Sequence, residues 1–220
     1  RRRRRAMGPV AVGRVRALDL DAVTLDAHGT LVRLDDPVPA LLNALGDRGV
    51  ERTPAAVLAG FRTEVAHYAP RASQGRDEAS LARLQQECAG VFLDAIDAEL
   101  DPEEFAPVYV GALRFEVLPG VFEALDRLRA LGLALAVVAN WDLSLPRLLE
   151  EVGLAHYFPV VVHAARKPAP DGLLRALADL HSAPTRALHI GDGDADREAA
   201  AAAGMRFAPT PVPAAVATIR

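Results

Sequence analysis

From Val23 onward the sequence alternates two textures, and that alternation constrains the fold more than any other feature. Short β-type runs occur at AVTLD (22–26), LALAVVAN (133–140), PVVVH (159–163), ALHIGD (187–192) and MRFAPT (205–210). Between the later runs lie the helical patterns PGVFEALDRLRALG, LSLPRLLEEVG, PAPDGLLRALADLH and DADREAAAAAG. A strand–helix–strand rhythm predicts a parallel sheet covered by helices on both faces. Gly132, Gly153 and Gly204 close three of the helices, where a left-handed cap position favours glycine.

One long interruption breaks the rhythm. Residues 35–117 show no strand pattern and four amphipathic helical ones, near 37–48, 54–67, 77–97 and 102–115. Pro37, Pro54 and Pro102 stand near three of the starts, where a missing backbone N–H costs nothing. The stretch APRASQGRD (69–77) reads as a flexible loop. The expected architecture is α/β: a Rossmann-like parallel sheet with helices on both faces and an all-helical insert. The boundaries read as 14–34 with 118–220 for the core, 35–117 for the insert, and 1–13 as an unstructured tail.

Composition narrows the function. The lone cysteine, Cys88, excludes an internal disulfide and a cysteine-based zinc site, and fits a reducing cytoplasm. No apolar run approaches the ~20 residues that span a bilayer, and Arg14, Arg16 and Asp19 interrupt the apolar part of any export signal. Arg1–Arg5 suggest a nucleic-acid arm, but the net charge is −4 even with them included. An acidic body repels a phosphate backbone, so neither nucleic acid nor membrane is expected as a partner. Oligomeric state is left open.

Ligands of open parallel sheets bind beyond the carboxyl ends of the strands. The first strand ends in Asp26-Ala27-His28-Gly29-Thr30 and the second in Ala139-Asn140-Trp141-Asp142. Lys167 follows the third, and Gly191-Asp192-Gly193-Asp194-Ala195-Asp196 ends the fourth. Carboxylates gathered on one edge repel one another unless a cation sits among them, and hard oxygen ligands suit Mg²⁺. Asp19 and Asp21 also form a spaced acidic pair, but at the start of the first strand, the wrong end of the sheet.

The ordered set LDAHGTL, VVANWD, RKPAP and HIGDGDADREAAAAAGM resembles the haloacid dehalogenase-like (HAD) hydrolase superfamily, over nearly everything from Ala22 to Met205. The helical insert is similar to the family's first type of cap. The resemblance implies that Asp26 is a nucleophile forming an aspartyl-phosphate. It implies Mg²⁺ bound by Asp26, the backbone carbonyl of His28, and Asp192, with Asp196 in support. Lys167 would steady the nucleophile, and the second motif, Ala139-Asn140, would hydrogen-bond the phosphoryl oxygens. Gly29 and Gly191 would let the backbone approach the phosphate.

Three departures stand out. His28 occupies the place where the family's phosphatases carry an aspartate that acts as general acid and base. Imidazole can perform that role, which is typically worth about 10²–10⁴-fold. Ala139 replaces a serine or threonine, and the HAARKP loop is short and lacks its glycine. The implied activity is hydrolysis of a small phosphorylated metabolite. Two alternatives remain: a metal-independent 2-haloacid dehalogenase, and a catalytically weakened binding protein. Elsewhere, Trp141 and Asp142 are read as shaping a turn, Thr30 as bonding to the Asp26 loop, and Arg166 as a solvated charge. Cys88 and His67 are read as packing or surface residues, and His189 as buried and satisfied.

Overall fold

The computed structural model describes residues 19–220. The arginine run and the remainder of the leading 18 residues lie outside the described part, including the first residues assigned to the core.

Five strands form a wholly parallel sheet in the order β5-β4-β1-β6-β7. They are β1 (Ala22–Leu25), β4 (Ala134–Val138), β5 (Val160–Val162), β6 (Ala187–Gly191) and β7 (Arg206–Pro209). Every residue of β1 and β6 is buried, as expected of central strands covered on both faces.

Alternate side chains divide between two layers of different texture. Val23, Leu25, Leu135, Val137, Leu188 and Ile190 enter a Leu/Val-rich core. It is closed by α5 (Val121–Ala130), α6 (Leu145–Glu151) and α9 (Val212–Ala217). The opposite face is paved with Ala22, Ala136 and Ala187, which let α7 (Asp171–Asp179) and α8 (Asp194–Ala202) lie close. Close approach is literal at Gly172, where an added Cβ would fall 2.7 Å from that of Ala165. Gly132, Gly153 and Gly204 follow α5, α6 and α8 with φ of +73°, +77° and +74°.

The insert comprises α1 (Val38–Gly46), α2 (Pro54–Tyr68), α3 (Glu78–Ala95) and α4 (Pro102–Ala112). Three of these begin on side-chain caps: Thr53 accepts from Ala56 N, Asp77 from Ser80 N, and Asp101 from Glu103 N. The helices share a core of their own, in which Phe92 lies 4.9 Å from Tyr109 and 6.2 Å from Phe105 between ring centroids.

The strandless reading of 35–117 needs correction. The chain enters and leaves the insert through an antiparallel ribbon, β2 (Val32–Leu34) with β3 (Phe115–Val117), and β3 falls inside that range. Three residues are too few to show a two-residue period, so the partner strand, not local pattern, defines it. The segment 69–77 contains a short 3₁₀ turn at Ala72–Gln74, and the carbonyl of Gly75 accepts from Leu143 N at 2.8 Å. Tyr68 Oη donates to Asp142 Oδ2 at 2.9 Å, so two hydrogen bonds tie the insert to the loop after β4.

Candidate active site

The sheet order sets the site. After β1 the chain builds β4 and β5 on one side, then crosses to β6 and β7 on the other. The crevice at such a reversal lies over the carboxyl end of β1. Asp26 stands there, its N–H closing the ladder on the carbonyl of Ile190 at 2.9 Å. The chain then turns sharply, with Leu31 N and Val32 N both donating to the carbonyl of Ala27. Gly29 takes φ +74°, and a Cβ on it would lie 2.2 Å from Asp192 Oδ2. Only glycine allows the Asp192 carboxylate to lean over this loop.

Asp26, Asp192 and Asp196 each offer an oxygen within 4.8 Å of the others. Lys167 reaches into the group from the loop after β5. Its Nζ donates to Asp26 Oδ1 and to Asp196 Oδ1, each at 2.5 Å. These three side chains are buried, whereas Asp192 and His28 are exposed at the mouth. A cleft of about 250 Å³ opens onto all five.

Asp196 is fully engaged. Oδ1 also meets His189 Nε2 at 3.0 Å, and Oδ2 accepts from Gly193 N at 3.2 Å, in the first turn of α8. His189 is in turn bonded through Nδ1 to Thr24 Oγ1 at 2.8 Å. A buried chain therefore runs Thr24–His189–Asp196–Lys167–Asp26. Burial pushes the Asp196 carboxyl up, but His189 and Lys167 overcome this and hold it well below the usual carboxylate range. Asp26 behaves oppositely: burial drives it up against the pull of Lys167, and the neighbouring Asp196 adds to the rise.

Asn140 serves the same lysine. Its Oδ1 accepts from Lys167 N at 2.7 Å and its Nδ2 donates to Lys167 O at 2.9 Å, a two-point clamp across the loops after β4 and β5. Ala139 lines the cleft without a hydroxyl, and its N–H is taken by Val162 O. Arg166 is exposed, with φ +58°. Thr30 bonds to the Asp26 loop through its backbone, its N–H donating to Ala27 O at 3.3 Å, while its buried hydroxyl has no hydrogen-bond partner among the described residues. Asp21 sits at the far end of β1, paired with Arg186 at 2.6 Å.

The donor set fits Mg²⁺. Three carboxylates face one ammonium, an excess of acid that a divalent cation among them would offset. Asp192 has no hydrogen-bond partner among the described residues, so its oxygens are free for a cation. Asp196 has both oxygens occupied, which leaves Asp26 and Asp192 as side-chain ligands. One or two carboxylates is the usual protein contribution to Mg²⁺.

Sequence reading treated His189 as a satisfied core residue and missed its bond to Asp196. A signal existed. Thr24 and His189 are each the one polar residue among apolar neighbours, and they pair in register across β1 and β6.

The family model for haloacid dehalogenase-like hydrolases matches residues 20–204. The chain belongs to this family. Among curated proteins, the human haloacid dehalogenase-like hydrolase domain-containing protein 3 is 30% identical over 192 residues, 80% of this chain and 75% of its own. Among solved structures, a HAD phosphatase from Thermococcus onnurineus superposes with a TM-score of 0.55 at 23% identity, covering 86% of this chain and 85% of that one. An L-2-haloacid dehalogenase from Xanthobacter autotrophicus, with chloropropionic acid covalently bound, gives 0.62 at 22% identity over 87% and 77%. These likenesses establish the HAD scaffold, a mostly parallel sheet flanked by helices. The protein is a HAD-like hydrolase. No helix among the described residues is long and apolar enough to cross a membrane.

Proposed function

We propose that this HAD-like hydrolase is a cytoplasmic, Mg²⁺-dependent phosphatase of small phosphorylated metabolites, working through an aspartyl-phosphate on Asp26. The observation that carries the reading is the excess of acid in the carboxylate cluster. A metal-free dehalogenase has little reason to set Asp192 beside Asp26 and Asp196 with a single lysine among them.

In this reading Asp26, Asp192 and the backbone carbonyl of His28 hold the ion. Bound Mg²⁺ supplies charge stabilisation of the phosphoryl oxygens. Lys167, locked between Asp26 and Asp196 and clamped by Asn140, holds the nucleophile in one rotamer and compensates charge as it builds. An Asp26 oxygen attacks phosphorus, the P–O ester bond breaks, and the leaving alkoxide takes a proton from His28. Water then gives a proton back to His28 and attacks the same phosphorus, releasing phosphate and regenerating Asp26. The insert acts as a cap that screens the site from bulk water.

A panel of phosphorylated metabolites, with 2-chloropropionate beside it, tests the reading. Expected is phosphate release that requires Mg²⁺, stops in EDTA, and disappears in Asp26→Asn. Chloride release that survives EDTA, with no phosphate release, would contradict it.

A further inference from the structure

Two chemically distinct sets of residues line the cleft. The carboxylates, Lys167, His28 and Asn140 are polar, while Ala139, Ala195 and Trp141 supply its apolar side chains. Trp141 is the chain's single tryptophan and is held from several directions. Its Nε1 donates to Ser144 Oγ at 3.1 Å, and its ring meets Phe115 of β3 nearly edge-on, 5.1 Å between centroids at 61°. Its backbone carbonyl accepts from Ala164 N at 2.7 Å. Because the indole N–H is already bonded, the side chain offers the cleft carbon surface and no donor.

Charge sharpens the point. Lys167 is the one lysine or arginine lining this cleft among the described residues, and Asp26 and Asp196 already hold it. With a divalent ion present the lining is close to neutral, so the phosphate's own charge is met by the ion and Lys167. Apart from His28 at the exposed mouth, a second anionic group on the leaving alcohol would find no counter-charge, and desolvating it against Trp141 is costly.

We propose that Trp141 is a specificity-determining wall. It selects phosphomonoesters whose alcohol carries an uncharged, flat, apolar group and disfavours substrates with a second anionic group. This rests on the phosphoryl reading of the site.

The test uses the wild-type protein with Mg²⁺ and three phosphonates whose C–P bond ester hydrolysis leaves intact: phenylphosphonate, methylphosphonate and phosphonoacetate. Affinity is read by calorimetry and by the fluorescence of the sole tryptophan. Phenylphosphonate should bind roughly five- to tenfold tighter than methylphosphonate and change the fluorescence. Phosphonoacetate should bind no tighter than methylphosphonate. In Trp141→Ala the phenyl advantage should vanish while methylphosphonate affinity stays unchanged; in Trp141→Phe it should persist.

An advantage that survives in Trp141→Ala, or phosphonoacetate outranking phenylphosphonate, overturns the proposal and leaves the phosphoryl reading intact. Should the alanine variant fail to fold, a phenylalanine variant without the advantage overturns it equally. If none of the three phosphonates binds, the phosphoryl reading fails and this proposal falls with it.

Discussion

Two buried carboxyls of the protein, Asp196 at the rim of the sheet and Glu64 in the helical insert, are handled in opposite ways. At the rim of the sheet, Asp26 and Asp196 flank the Lys167 ammonium, and His189 completes Asp196. Within the helical insert, Glu64 is buried between neutral donors, with Tyr109 Oη at 2.8 Å and the Cys88 thiol as partners. Burial drives the Glu64 carboxyl up; the hydrogen bonds from Tyr109 and Cys88 and the nearby His67 only partly oppose it. Asp196 moves the other way because His189 and Lys167 both bond to it and together outweigh burial. The lesson concerns partners, not burial. A buried carboxyl met mainly by phenol and thiol rises, and so does Asp26, where Lys167 alone works against burial and a second acid; Asp196, held by both His189 and Lys167, falls and stays charged.

The largest effect should come from breaking the charged cluster. Lys167→Met leaves two buried carboxylates without their cation, and losing one partner of a buried pair costs about 3–5 kcal/mol. Chemical denaturation should register that loss, together with collapse of turnover. A variant as stable as wild type would show that Lys167 does not hold the rim together. His28→Asn tests the proton-transfer role without touching a buried group, since His28 is exposed. The expected outcome is a fall in kcat of about 10²-fold or more with Mg²⁺ binding retained. An unchanged kcat removes His28 from the mechanism.

A smaller effect should appear in the insert. Glu64 has a folded-state pKa above its unfolded value, so the folded state binds the proton more tightly. Its contribution is therefore complete below the ordinary glutamate value and is lost as pH rises through the raised one. Denaturation midpoints should decline across that window, and Glu64→Gln, which is always neutral, should flatten the decline. A slope that is the same in the variant would mean that another group titrates there.

The legibility of the sequence divides along the same line. Apolar runs such as LALAVV and ALHIG, each stopping at a polar or acidic tip, announce central strands and the edge they feed. That is why Asp26, Lys167, Asp192 and Asp196 could be nominated before any coordinates. The insert helices were legible from their amphipathic patterns and from Pro37, Pro54 and Pro102 near three of the starts, whereas the caps Thr53, Asp77 and Asp101 emerge only in the structure. Tertiary pairings were not legible. β3 exists because β2 lies beside it, and His189 bonds Thr24 across 165 residues of sequence. Asn140 looked like a phosphate ligand, and its clamp on the Lys167 backbone depends on how two loops meet. The bond from Tyr68 to Asp142 depends on the docking of the insert, which no local pattern encodes.

The central claim is that Asp26 becomes covalently phosphorylated, and it can be measured on the residue itself. The protein would be mixed with a phosphomonoester it hydrolyses and Mg²⁺, quenched in acid within one turnover, digested, and the peptide carrying Asp26 weighed. The account predicts a gain of one phosphoryl group at Asp26 that is absent in EDTA. Phosphate release in Mg²⁺ with no such adduct at any quench time, or an adduct on another residue, would contradict it.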